Sequence, residues 1–189
     1  KMGVWISGFF GSGKSHFLKM ISYLLENKTV KGRSAVSYFE DKINDKELLN
    51  LIKEDTSISS DVILFNIDSK SGNSNGSKDK ILEVFEKVFN EKMGLSTNPF
   101  VAEIERFLIK SNKYKEFIEE FNKHSFYSWE ESRDSLQFVE DEFALSYSKV
   151  LGKSEEESRS IIERTENNYT VSVEEFAKRV NEYLSSKED

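Results

Sequence analysis

Cysteine is absent from the 189 residues, which excludes disulfides, thiolate nucleophiles and Cys-based zinc sites. The absence fits a reducing compartment. Histidine occurs only at His16 and His124, so a His-rich metal site is excluded as well. Proline occurs once, at Pro99. Long hydrophobic runs are missing too: "VILF" (62–65) falls far short of the ~20 residues that a membrane-spanning helix needs. "VWISGFF" continues into "GSGKSH", which has no signal-peptide character. Positive charge is in deficit, with 27 Lys and Arg against 34 Asp and Glu and a net charge of −7. That balance argues against nucleic acid or an anionic membrane as the default partner. A local basic patch is compatible with it, and no DNA contact is read from the sequence.

What is present suffices for a core: 37% of residues are hydrophobic, while the 32% that are charged supply a solvated surface. "GVWISGF" (3–9), an apolar run of β-forming residues, predicts a buried strand, and "DVILFNID" (61–68) predicts a strand buried on both faces, as in a parallel sheet. "SAVSYFE" (34–40) predicts a third, short strand. "KSHFLKMISYLLEN" (14–27) has helical spacing, and Asn44 with Glu47 forms a capping-box pattern for a helix over 44–55. "SKSGNSNGSKDK" (69–80) reads as a loop. Beyond it the pattern is helical throughout: 80–94 with Gly94 as a stop, 98–110 with Asn98 as cap and Pro99 at the first position, and 113–123. Capping boxes at Ser128/Glu131, Ser154/Glu157 and Ser172/Glu175 predict helices over 129–151, 155–166 and 173–185. The expected architecture is α/β: a partial P-loop NTPase-type parallel βα core over 1–80, then a large α-helical lobe over 81–189. The chain opens on Lys1 with a strand candidate two residues later, which reads as a piece of something longer.

Between the first strand candidate and the first helix lies Gly8-Phe9-Phe10-Gly11-Ser12-Gly13-Lys14-Ser15, which matches the Walker A pattern G-x-x-x-x-G-K-[ST] at every fixed position. Phosphate oxygens need a concave ring of backbone N–H donors, which bulky Cβ atoms would obstruct; Gly11 and Gly13 permit the close approach. The helix beginning near Lys14 points its positive end at the phosphates. In this reading the N–H groups from Gly11 through Ser12 and Gly13 to His16 cradle the phosphates. Lys14 stabilises the charge that builds up in transfer, and the Ser15 hydroxyl ligates Mg²⁺. Phe9 and Phe10 are expected to pack against neighbouring elements or shield the loop. His16 reads as a helix residue tied to a local acceptor, and His124 as solvated at a polar helix end.

A P-loop hydrolase also needs an acid on a second strand to hold Mg²⁺. Asp68 ends the run "DVILFNID"; two roles stay open for it, a direct or water-mediated metal contact or a cap on the following loop. The acids of "QFVEDEF" (137–143) have helical surroundings and read as a solvated helix face. Arg106, Arg133, Arg159, Arg164 and Arg179 are candidate arginine fingers that the sequence does not rank.

"VWISGFFGSGKSHFLKMISYLLEN", followed by "YFEDKI" and "DVILFNIDSKSG", resembles the P-loop ATPases of bacteriophage-exclusion (BREX) defence systems, the BrxC/PglY type. The resemblance is specific over 3–72 and rests on helical character beyond. It implies ATP and Mg²⁺ as cofactors, with hydrolysis by the complete protein driving a conformational change. It further implies a cytoplasmic location and partnership with a DNA methyltransferase and other phage-defence proteins; ATPases of this kind often assemble across subunits. Gly8, Gly11, Gly13, Lys14 and Ser15 carry over as phosphate and Mg²⁺ contacts. In that family the acidic metal-binding strand follows a long helical insertion, so no catalytic glutamate or arginine finger carries over to this chain. Two other readings use the same loop: a small-molecule or nucleotide kinase with a helical lid, and a non-catalytic interaction module that senses ATP. The 15 phenylalanines would favour the module if many were exposed; their i, i+3, i+4 spacing points to a core instead.

Overall fold

The structure is a computed structural model that describes residues 3–66, 78–169 and 172–187. It divides into two compact units, Lys1–Phe65 and Asn66–Asp189.

In the first unit, residues 3–9, without regular secondary structure, lead into a turn closed by the Ser12 amide on the Phe9 carbonyl at 3.2 Å, and helix α1 (Lys14–Leu25) follows. A hairpin comes next, β1 (Thr29–Val30) paired antiparallel with β2 (Arg33–Ser34), with Val30 opposite Arg33. Lys31 and Gly32 at its turn have φ of 50° and 77°, the left-handed pair that lets a two-residue loop follow the strand twist. A 3₁₀ turn, Val36–Tyr38, buries Ala35 and Val36. Helix α2 (Lys46–Asp55) is capped by Asp45, whose carboxylate accepts the Glu47 and Leu48 amides at 3.0 and 3.1 Å. The cap therefore lies one residue beyond the Asn44 that the capping-box pattern indicates, since Asp45 takes the extended backbone from which a side chain reaches the first turn.

The expected α/β class is overturned. Among the described residues the β1–β2 hairpin is the only sheet, and the chain is all-α, without a parallel βα core. The runs 3–9 and 61–66 carry no regular secondary structure and join no sheet, and residues 67–68 lie outside the described residues. Nor are the runs buried: Val4 is 76% and Trp5 91% exposed, and Ile63 and Leu64 are also exposed. β-propensity favours an extended backbone, but a sheet needs a partner strand, and composition does not supply one. The strand expected over 34–40 is instead the end of β2 and the 3₁₀ turn, which the Ser37 hydroxyl closes by donating to the Ser34 carbonyl at 2.8 Å.

The second unit is helical: α3 (Lys78–Lys92), α4 (Pro99–Lys110), α5 (Tyr114–His124), α6 (Trp129–Ser132), α7 (Glu140–Leu151), α8 (Glu155–Asn168) and α9 (Val173–Ser185). Local signals set the boundaries. Gly94 (φ 73°) follows α3; Asn98 caps α4 ahead of Pro99; reciprocal capping boxes at Ser128/Glu131 and Ser154/Glu157 open α6 and α8; the Ser172 hydroxyl accepts the Glu175 amide of α9. Each such cap is worth about 1 kcal/mol.

The single helix expected over 129–151 is broken. A 3₁₀ stretch, Arg133–Phe138, separates α6 from α7, and Ser135 has non-helical φ −127° and ψ 44°. The residues before the break are pulled out of the helical path by partners on the α3–α4 connection. Arg133 donates to the Gly94 carbonyl at 2.7 Å, and Asp134 accepts the Ser96 hydroxyl at 2.5 Å and the Thr97 amide at 2.8 Å.

Phe117, Phe121, Trp129 and Phe143, all fully buried, form the centre of the core with Val101, Ile104, Leu108 and Tyr147. Phe117 meets the Trp129 ring edge-on at 4.9 Å between centroids. Each such side chain contributes about 1.5–3 kcal/mol through burial. Helix α9 differs from the other helices of the second unit in having no buried residue. Its contacts include the rings of Phe176 and Tyr183 edge-on to Phe89, at 5.7 and 5.9 Å, ion pairs of Arg179 with Glu86 and Glu103, and an ion pair of Glu182 with Lys110 at 3.1 Å. Clefts of about 350 and 280 Å³ lie between α9 and its neighbours α4 and α8.

Candidate functional site

Residues 8–15 fold as a tight loop delivering the chain into α1. Gly11 and Gly13 both take left-handed backbone, φ 78° and 84°, which a side chain would strain. Gly13 is the N-cap and offers no capping side chain. The first helical bond runs from the Phe17 amide to the Gly13 carbonyl at 2.9 Å. The amides of Gly11, Gly13, Lys14, Ser15 and His16 have no acceptor among the described residues. Their N–H groups, together with the positive end of α1, form an electropositive opening suited to an anion. The Ser12 amide is not among them, being held by the Phe9 carbonyl.

The Lys14 side chain folds back over this loop. Its ammonium donates to the Gly8 carbonyl at 2.8 Å, the Phe9 carbonyl at 2.6 Å and Ser12 Oγ at 3.3 Å. A Cβ at Gly8 would lie 2.8 Å from Ser12 Oγ, so that hydroxyl would have to turn aside. The Ser15 hydroxyl, in the first turn of α1, is exposed and makes no hydrogen bond among the described residues. It fits a metal ligand of the kind Mg²⁺ takes, a single protein oxygen completed by phosphate and water. No cluster of three or more His, Cys, Asp or Glu able to hold a metal ion exists among the described residues. Asp68 lies outside them.

The structure thus brings Gly8, Gly11, Ser12, Gly13, Lys14, Ser15 and the His16 amide into one loop. Phe9 and Phe10 do not pack as expected: they are 91% and 107% exposed. The His16 ring makes no hydrogen bond among the described residues, so the expected local acceptor is not found. His124 is engaged rather than solvated, its Nε2 lying 2.9 Å from both the Glu120 carboxylate and the Lys149 ammonium. Lys123, Lys149 and His124 around Glu120 hold its carboxyl at about 2. The acids Glu140, Asp141 and Glu142 occupy the first turn of α7, as the helical spacing indicates. Of the arginines, Arg106, Arg133, Arg159 and Arg179 are engaged in ion pairs with acids of the second unit.

Sequence reasoning missed Glu105. It is fully buried in the helical core and accepts four hydrogen bonds: from the Ser96 amide at 2.6 Å, the Tyr114 hydroxyl at 2.7 Å, Trp129 Nε1 at 2.9 Å and Arg133 at 3.1 Å. Burial, and then the Glu105 charge, push the Tyr114 phenol well above its usual range. A signal existed: Glu105 sits four residues after Val101 and three before Leu108, on the apolar stripe of α4. The satisfied donors mark it as a structural tie, not a reactive acid.

No helix among the described residues is long and apolar enough to cross a membrane. No protein-family model matches the chain, and no solved structure matches it.

Proposed function

We propose that residues 8–15 are the phosphate-binding loop of an ATP-binding protein of the BREX P-loop ATPase type, binding ATP·Mg²⁺. The observation that carries this reading is one geometry: open amides at Gly11 and from Gly13 to His16, two left-handed glycines, and the Lys14 ammonium held over the loop. That set of groups suits a polyphosphate chain, with amides for its oxygens and a lysine for its charge. Mg²⁺, when bound, neutralises charge between phosphates, and Ser15 is the residue that would hold it. The reading rests on the loop and α1, and needs no parallel sheet. Turnover by the full-length protein, a cytoplasmic setting and phage-defence partners follow from the motif resemblance over 3–72 and belong to the same proposal.

Isothermal titration of ATP·Mg²⁺ into the protein and its Lys14→Ala variant tests it. Removing one charge-assisted contact of this kind costs about 1.5–3 kcal/mol, so the variant binds about 10- to 100-fold more weakly. Equal affinity for the two proteins ends the reading.

A further inference from the structure

The Lys14 ammonium carries three N–H donors. Two go to the backbone carbonyls of Gly8 and Phe9 at 2.8 and 2.6 Å, and the third reaches Ser12 Oγ at 3.3 Å. The bonds are unequal. The carbonyl contacts are short and charge-assisted, whereas the hydroxyl contact is long. They also differ in how easily they are given up. The Phe9 carbonyl is fixed by the turn that its bond from the Ser12 amide closes, while a hydroxyl reorients by rotation about one bond. A phosphate oxygen arriving at the open amides is charged and is the stronger acceptor for the third proton.

We infer that Ser12 is a positioning residue whose hydroxyl holds the third Lys14 proton and yields it to an incoming phosphate. Ligand entry then exchanges a single bond, while the two carbonyls keep the ammonium in place throughout. The seat for the hydroxyl is built into the loop, because any Cβ at position 8 would crowd Ser12 Oγ. This inference rests on the phosphate-loop reading and adds a control on its affinity: the loop is preset, and the hydroxyl weakens binding by competing with the ligand.

The test is titration calorimetry on the full chain with two probes, ATP·Mg²⁺ and inorganic tripolyphosphate. Ser12→Ala is expected to bind both about threefold more tightly, the scale of one long, weak hydrogen bond. Ser12→Thr, which keeps the hydroxyl, is expected to stay within about twofold of the unsubstituted protein. In a Lys14→Met background, Ser12→Ala is expected to change nothing, because the hydroxyl acts through the lysine. The inference is overturned if Ser12→Ala leaves affinity unchanged or lowers it, if Ser12→Thr tightens binding as the alanine does, or if Ser12→Ala acts equally without the lysine. Failure of the underlying reading shows itself separately, as Lys14→Met binding both probes as tightly as the unsubstituted protein.

Discussion

The indole of Trp129 donates its N–H to the carboxylate of Glu105 at 2.9 Å, in a place where both residues are fully buried. One acid therefore ties α6 to α4, and through the Ser96 amide it also holds the connection before α4. Replacing Glu105 with alanine leaves the Trp129, Tyr114 and Arg133 donors without their acceptor. The expected loss is about 3–5 kcal/mol, the scale of breaking a buried pair on one side. A lowered urea midpoint with unchanged slope is the readout; a loss below about 1 kcal/mol would reduce the network to a surface-like contact.

Tyr147 makes alkaline pH a second probe of the same core. Burial pushes its phenol up to about 12, while the unfolded side chain titrates near its ordinary value of 10.0. The folded state therefore resists losing this proton. Stability is fully present below about pH 10 and falls as pH rises towards 12. Tyr147→Phe is expected to remove about 1–2 kcal/mol of that alkaline loss. Urea midpoints at pH 9 and 11 measure it, with Tyr114 and Tyr169, also pushed up by burial, accounting for the remainder.

Helix α9 should open before the rest of the second unit. It buries no residue and is held by the Phe89 ring contacts, by Arg179 and by the Glu182–Lys110 pair. Glu86, the acid partner of Arg179, is 1% exposed, so removing the guanidinium leaves a buried carboxylate with only the neutral Tyr169 hydroxyl unless α9 lifts away. Lifting is the easier response. Arg179→Ala is thus expected to lower hydrogen-exchange protection over 173–185 by about 10-fold or more while leaving α4, α5 and α7 protected. Uniform loss across the unit would show that α9 is integral to the core.

Gly8→Ala supplies a test inside the loop. Its Cβ would approach Ser12 Oγ to 2.8 Å but Ser12 Cβ only to 3.6 Å. Turning that hydroxyl aside frees the third Lys14 proton, so the substitution should tighten ATP·Mg²⁺ binding by about threefold, as Ser12→Ala does. Adding Ser12→Ala should change nothing further. A further change would show that the crowded atom is not the hydroxyl.

What the sequence disclosed was the chemistry written in neighbouring residues. Caps at Asn98, Ser128, Ser154 and Ser172, the stop at Gly94 and the glycines of the loop all depend on partners within a few positions. The errors arose where the deciding partner is remote. Runs 3–9 and 61–66 have the residues of strands, but sheet formation depends on a second strand, and the described residues pair neither run in a sheet. The break at Ser135 carries no glycine or proline; it follows from Asp134 reaching Ser96, 38 positions away. Glu105 was hidden by its charge, because an acid on a helix reads as surface until its donors are in view.

The grip of Arg133 and Asp134 on Gly94, Ser96 and Thr97 bears on engineering. Interhelical connections are ordinarily the places where extra residues, tags or permuted ends are accommodated cheaply. This one behaves as a keyed joint. Lengthening it by a single residue would shift the backbone groups out of register with both side chains at once, so it is the wrong site for a fusion partner.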